Sequence, residues 1–383
     1  MAAASALTPR RSGGLTGRLA ANLARVEGPG REPGIDLARG LAVIGMFAAH
    51  LLDITAFEWS DPGTWTDVVN GRSSILFATL AGVSLAIVTG GAQPFEGRPM
   101  TYARVRIALR AGCIWFLGIL LVVLETPVLV ILPAYAILFL LTLPLLRAGV
   151  ARLFVVAAAV AVTMPFAVFA IDSWDGWDRP LGQTVAHVLG WHYPFLLWAA
   201  FLIAGIGVGR LAFSRPLTAG LLTGAGVVLA GVGYGVIGRW ALLAPADSLW
   251  GVALSSTAHS SGVGEAIGSG GFAIATIGVC TLLCATPVRW LALPLRAVGA
   301  MPLTAYTAQL VAWAMLQPPA GVHGSELAAF RALEPFWPLT IATIVGCTLW
   351  TLLLGRGPLE WLLARIATAG PKDIAHGRTD AAR

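Results

Sequence analysis

Of the 383 residues only four are cysteine and only 11% are charged, and each shortage excludes a class of protein. Cys113, Cys280, Cys284 and Cys347 all lie inside apolar runs, and no two are spaced C-x-x-C. Neither a disulfide framework nor a zinc site is expected. Cys280 and Cys284 share a helix face, where small buried hydrophobes account for them. The histidines are scattered without an H-E-x-x-H spacing, so no metal is indicated, and no G-x-S-x-G elbow provides a lipase nucleophile. A strict internal repeat is also lacking. Residues 1–34 are small, polar and arginine-bearing, without the short apolar core and A-x-A-like site of a cleaved signal. They read as a cytoplasmic tail.

What the chain has is apolar surface: 57% of residues are hydrophobic and the mean hydropathy is +0.79, proportions foreign to soluble domains. Stretches able to cross about 30 Å of hydrocarbon recur along its length. Ten are placed at 37–57, 72–91, 106–124, 128–146, 153–171, 193–211, 217–240, 267–285, 297–316 and 336–354. Pro133 should kink the fourth or free a carbonyl. The glycine-rich seventh (Gly224, Gly226, Gly231, Gly233, Gly235, Gly238) reads as close packing through small faces, with a discontinuous helix as the alternative. Arginine placement tests the topology: with the N-terminus inside, only Arg72, Arg179, Arg239 and Arg331 of 25 basic residues fall outside. The bias supports an even number of spans and both ends in the cytoplasm. The expected fold is therefore an all-α, polytopic membrane bundle over 35–366, with a cytoplasmic C-terminal tail at 367–383. Although the net charge is +6, the arginines lie between apolar segments and form no dense basic domain, which excludes nucleic acid as the partner.

The outer loops 58–71, 172–192, 241–266 and 317–335 combine carboxylates (Asp61, Asp67, Asp172, Glu265) with tryptophans (Trp59, Trp65, Trp174, Trp177, Trp191). Two readings stand side by side: an interfacial aromatic belt, or a mouth that stacks on sugar faces while carboxylates accept hydroxyl hydrogen bonds.

Ionisable groups inside membrane helices are functional candidates because hydrocarbon penalises them. His50 lies eleven residues beyond Arg39, about 16 Å of helical rise, past the midplane. Asp53 follows at i+3 and could hold the imidazole for proton transfer. At the inner end Asp36 and Arg39 form another i, i+3 pair, able to orient the helix or to bind cofactor phosphates. An anionic nucleotide would find Arg39, Arg104, Arg106, Arg110, Arg289 and Arg296 on that side, with fork geometry suited to phosphate. The positive-inside bias alone also puts arginines there. Arg72 opens a helix, where a cation is disfavoured, and needs Asp53, Asp67 or a developing oxyanion as partner. His259, in a hydroxyl-rich stretch, either caps the eighth helix or lines an acceptor site. His192 reads as interfacial. Tyr306 and Gln309 share a face and point into the bundle. Arg356 and Glu360 sit at the cytoplasmic interface as a clasp, and secondarily as a cofactor contact.

The run Ile35-Asp36-Leu37-Ala38-Arg39-Gly40-Leu41-Ala42 leading to His50, then Gly71-Arg72-Ser73-Ser74-Ile75-Leu76-Phe77 through Leu80-Ala81-Gly82, resembles the opening of the YeiB-like bacterial membrane proteins. Thr304-Ala305-Tyr306 and Arg356-Gly357-Pro358-Leu359-Glu360-Trp361 resemble the C-terminal half of that family. It is similar in turn to the heparan-alpha-glucosaminide N-acetyltransferase family. The resemblance implies a multi-pass protein of the bacterial cytoplasmic membrane that takes an acyl-CoA, acetyl-CoA foremost, from the cytoplasm and acylates a sugar amine or hydroxyl on the other side. His50 would stand where the family's lysosomal member has an asparagine. That member's essential histidine sits in the next outer loop, and residues 58–71 here contain none, which leaves His50 or His259 as the base and Arg72 or His259 for the oxyanion. Cofactor phosphates would rest among Asp36, Arg39, Arg106, Arg110, Arg289 and Arg356. The implied partners are membrane lipid, a sugar or glycolipid acceptor and, since large bundles often pair, a second copy of the chain. The alternative is a proton-coupled transporter or flippase, with His50 and Asp53 relaying protons.

Overall fold

The computed structural model describes residues 14–28, 31–316 and 326–369, and among them every regular element is helical. The principal helices are α1 (Pro33–Leu51), α2 (Arg72–Val88), α3 (Gly97–Val122), α4 (Leu132–Thr142), α5 (Val150–Asp172), α6 (Phe195–Arg210), α7 (Pro216–Ala230), α8 (Val263–Cys284), α9 (Pro302–Leu316) and α10 (Phe336–Leu353). Seven helical stretches among the described residues are long and apolar enough to cross a membrane: α1, Pro62–Val88, α3, α5, Pro216–Ala241, α8 and α10. Leu132–Arg147 and Phe195–Arg210 are shorter apolar helices. At 1.5 Å per residue, the 16 residues of α6 cover roughly 24 Å, less than the hydrocarbon thickness.

Several boundaries differ from those expected. The first helix ends at Leu51 and not near 57, with Leu52 already extended. Pro133 stands in the first turn of α4, where its missing N–H costs nothing, so it starts the helix and does not kink it. The stretch 297–316 is two helices, Leu293–Ala300 and α9, because Pro302 forces Met301 out of the helical region (φ −137°, ψ 54°). Beyond α7 the glycine-rich chain continues as a π-helical segment, Gly231–Ile237.

Glycines set the helix crossings. A Cβ at Gly226, Gly233 or Gly278 would strike backbone across the α7–α8 contact, as the small-face reading expected. Gly82 and Gly205 do the same between α2 and α6. Gly40 meets the Leu295 carbonyl and Gly299 the Asp36 carbonyl, so α1 and Leu293–Ala300 cross backbone to backbone. That crossing seats Asp36 and Arg39 in the protein interior.

Both expected tails are partly structured. Helix Leu15–Val26 docks on α10, where Asn22 donates to the Leu352 carbonyl at 2.9 Å. Glu27 pairs at 2.5 Å with Arg296, which is fully buried. A C-terminal helix, Pro358–Ala369, packs beside α9 and α3. Residues 1–13, 29–30, 317–325 and 370–383, which hold the rest of the expected tails and part of the expected fourth outer loop, lie outside the described residues.

Candidate active site

At the Arg39 end of the bundle a cavity of about 320 Å³ opens between α1, α2, α3, α4 and the C-terminal helix. Arg39, Ser84, Arg110 and Glu360 give it a polar side, and Phe77, Ile114, Leu132, Tyr135, Phe139 and Leu303 an apolar one. Arg39 is held from three directions: to Asp36 at 3.0 Å, the Gly299 carbonyl at 2.8 Å and Ser84 Oγ at 3.0 Å. Arg31 binds the other oxygen of Asp36 at 2.9 Å. A second hollow of about 170 Å³, lined by Arg31, Glu32 and Asp36, shares Arg39 and Ser84 with the first. Burial and the nearby Asp36 charge push the Glu32 carboxyl up. Glu360 accepts from the Leu303 and Thr304 amides at 2.8 and 3.1 Å and from Thr304 Oγ1 at 2.6 Å. It caps the broken start of α9 while facing the cavity.

The other expected phosphate ligands divide. Arg356, Arg106, Arg39 and Glu360 are the charges acting on Arg110. Arg106 lies over the Tyr102 ring and Arg289 over Trp290, and neither lines the cavity. The cation set therefore concentrates on Arg39 and Arg110, with Arg31 at the rim.

At the opposite end, His50 and His259 face one small cavity of about 50 Å³ together with Asn70, Ser73, Tyr193 and Tyr306. His259 also lines an adjoining space of about 20 Å³ with His192 and Glu265. The large and small cavities meet back to back at the start of α4. Leu132 and Tyr135 face the first and Ile131 the second. Between them the Tyr135 hydroxyl donates to the Ser74 carbonyl at 3.5 Å, and the Ile131 amide donates to the Tyr306 hydroxyl at 3.4 Å.

The expected His50–Asp53 pair is not formed. With α1 ended at Leu51, Asp53 leaves the helix face, its side chain is 91% exposed, and it pairs with Arg331 at 3.5 Å. Arg331 also donates to the His50 carbonyl at 2.8 Å, satisfying a helix-terminal acceptor. The His50 ring stands edge-on to Trp313 at 5.7 Å, and Trp313 in turn packs on Phe330. Arg72 finds its partner in Asp67, whose carbonyl it binds at 2.7 Å with the carboxylate at 3.9 Å, and in the Tyr234 hydroxyl at 2.9 Å. It does not line the His50 cavity, so an oxyanion role is unsupported by its position.

His259 (φ +63°) and Ser261 (φ +55°) are non-glycine residues in left-handed backbone. Such residues cost about 1–3 kcal/mol each. Opposing that, the buried Glu265 carboxylate accepts from the His259 amide at 2.6 Å, the Ser261 amide at 2.8 Å and Ser260 Oγ at 3.4 Å. Charged hydrogen bonds contribute about 1.5–3 kcal/mol each, enough to offset the backbone strain of the turn. Burial pushes the His259 imidazole below its ordinary value, leaving it neutral at pH 7. His192 is also lowered, by burial first and then by His187, against the opposing Asp172.

In the tryptophan-rich loop, Trp177 and Trp191 stack at 5.8 Å, and Trp191 donates to Asp172 at 2.7 Å. These rings largely serve one another. Sequence reasoning missed Tyr234, Trp313 and Glu265's grip on the turn. Only the last had a local signal, an acid at the third helical position behind a hydroxyl-rich entry.

The site is thus a basic, apolar-walled cavity and a two-histidine cavity on either side of the start of α4 in a many-helix membrane bundle. The family model for "Heparan-alpha-glucosaminide N-acetyltransferase, catalytic" matches residues 31–244, more than half of the chain, and the chain belongs to that family. A second model, "Protein of unknown function (DUF418)", matches residues 227–370. No curated protein matches the chain.

Proposed function

We propose that this protein is a YeiB-like transmembrane acyltransferase of the bacterial cytoplasmic membrane. It moves an acyl group, acetyl foremost, from cytoplasmic acyl-CoA to a hydroxyl or amine of a sugar or glycolipid on the far side. In this reading all ten principal helices are embedded and both termini are cytoplasmic. The carrying observation is the pair of cavities on either side of the start of α4, with Tyr135, Ser74, Ile131 and Tyr306 hydrogen-bonded between them. Arg39 and His50 mark their levels on α1, about 16 Å apart by helical rise, a span an extended pantetheine arm can cover.

Arg39, Arg110 and Arg31 take the donor's phosphates by charge-assisted hydrogen bonds, and the apolar wall accommodates the arm. His50 removes the acceptor proton as the acceptor's oxygen or nitrogen bonds to the thioester carbon. His259 donates its N–H to the tetrahedral oxyanion. Breakage of the C–S bond releases the thiolate, which takes the proton from His50 and leaves as free CoA. Asp53 and Arg331 act at the rim, by fixing the end of α1.

The test is release of free CoA by purified protein in nanodiscs given acetyl-CoA, longer acyl-CoAs and a glycan extract. Acceptor-dependent release is expected, with Arg39→Ala raising KM for the donor by about tenfold or more through lost charged hydrogen bonds. Binding without thioester consumption would instead favour the transporter. The pH dependence follows from His259. Its folded pKa is lowered, so its stability contribution is complete above the unfolded value of about 6.5 and declines as pH falls below it. The melting temperature is therefore expected to be level above about pH 6.5 and to fall as pH drops below it. A melting temperature that does not fall below about pH 6.5 would show that the fold does not hold His259 neutral.

A further inference from the structure

The geometry points to Glu265 as the residue that positions His259 for acyl transfer, by gripping the 259–261 turn against the start of α8 and so fixing the imidazole where the two small cavities adjoin. The inference rests on the proposed function, since it assumes that His259 serves the reaction.

The grip is specific in kind. Glu265 is 6% exposed, stands in the first turn of α8, and spends both carboxylate oxygens on one turn: Oε1 on the His259 amide and Oε2 on the Ser261 amide. Its own amide donates to the Ser255 carbonyl at 3.0 Å, tying the helix start to the beginning of the same loop. The turn is also backed from α2. Gly71 has φ +68°, and a Cβ there would come within 3.3 Å of both Ala258 Cβ and Glu265 Oε1. Gly71 lines both small cavities, as His259 does. The His259 main chain is thus located by a three-way contact of the α2 start, the 255–262 loop and the α8 start. Two left-handed non-glycine residues flanking Ser260 would relax to other backbone conformations without an acceptor for both amides. Glutamine cannot replace the carboxylate here, because its NH2 would face one of the two N–H donors. An ordinary helix cap would stabilise α8 but would have no bearing on where the His259 ring points.

The test uses the full-length protein in nanodiscs, with Glu265→Gln and Glu265→Asp beside wild type. Carbethoxylation of each histidine by diethylpyrocarbonate at pH 7 is followed by peptide mass spectrometry, with exposed His187 as internal reference. His259 is itself exposed, so in Glu265→Gln its rate relative to His187 should change by about threefold or more as the ring loses its fixed position. kcat should fall about ten- to a hundredfold while KM for acyl-CoA stays the same, the range expected from losing one or two charged hydrogen bonds. Glu265→Asp, which keeps a shorter carboxylate, should fall between the two. Lower thermal stability with an unchanged His259 rate would make Glu265 a plain cap and overturn the inference, as would wild-type values in both readouts. If Glu265→Gln does not fold, Glu265→Asp decides by the same two readouts. If wild type releases no CoA, the acyltransferase reading falls, while the modification rates still report whether Glu265 fixes His259.

Discussion

Replacing His50 by alanine is expected to lower acceptor-dependent CoA release by about 10²–10⁴-fold, the range that a positioned general base contributes. At 1.36 kcal/mol per tenfold this is roughly 3–5 kcal/mol of transition-state stabilisation. The loss should fall on kcat, since His50 faces the small cavity and not the donor cavity beside Arg39. Donor KM should move little. His259→Ala should lose less, because an oxyanion donor is partly replaceable by water or by neighbouring hydroxyls such as Ser73. His50→Asn separates two roles that alanine merges. Asparagine hydrogen-bonds but takes no proton near neutral pH, so a rate near that of alanine makes His50 the base. A rate near wild type would make it an orienting group and pass the base to His259. The measurement is steady-state CoA release at saturating donor and acceptor for all three variants.

The large features were legible because they rest on local composition. Apolar runs announce a membrane bundle, and Asp36 with Arg39, three apart on one helix, announces the polar group beside the larger cavity. His50 was legible as a polar group deep in an apolar run. What was illegible came from helix ends and from distant chain. Asp53 is a partner for His50 only if α1 runs on, and nothing in Leu51-Leu52-Asp53 marks the stop. The residue that actually meets both His50 and Asp53 is Arg331, some 280 positions later. Arg106 and Arg110 are indistinguishable as inner arginines, and a neighbouring ring, Tyr102, draws only the former aside. Met301 shows the opposite case, because the Pro302 that follows it is a local signal, and its steric demand on the preceding residue is what splits the ninth span.

Removing Arg210 should cost the fold more stability than removing either His50 or His259. Its side chain is 4% exposed at the end of α6 and meets no carboxylate within hydrogen-bond reach among the described residues. It donates to the Ala86 and Gly91 carbonyls at 3.1 and 2.5 Å, to Thr89 Oγ1 at 2.8 Å and to the Leu146 carbonyl at 2.5 Å. Those acceptors are the terminal carbonyls and side chain of α2, the turn after it, and the turn that ends Leu132–Arg147. One guanidinium therefore ties the end of α2 and the turn after it to the turn that ends Leu132–Arg147, and it supplies the donor for the Gly91 and Leu146 carbonyls. Leaving the Gly91 and Leu146 carbonyls without this donor costs about 1–3 kcal/mol each. At roughly 2–4 °C per kcal/mol that is a drop in melting temperature of about 4–24 °C. Methionine should fare no better than alanine, because refilling the volume leaves the carbonyls orphaned, whereas lysine should recover part of the loss through its three donors. A thiol-reactive dye reads the transition directly, since Cys280, Cys284 and Cys347 are free and buried until the bundle opens. Arg210 borders neither the donor cavity and its side hollow nor the two histidine cavities, so CoA release well below the melting temperature should remain near wild type. A methionine variant as stable as wild type would mean that hydration satisfies those carbonyls, and the two chain stretches would need another source of cohesion.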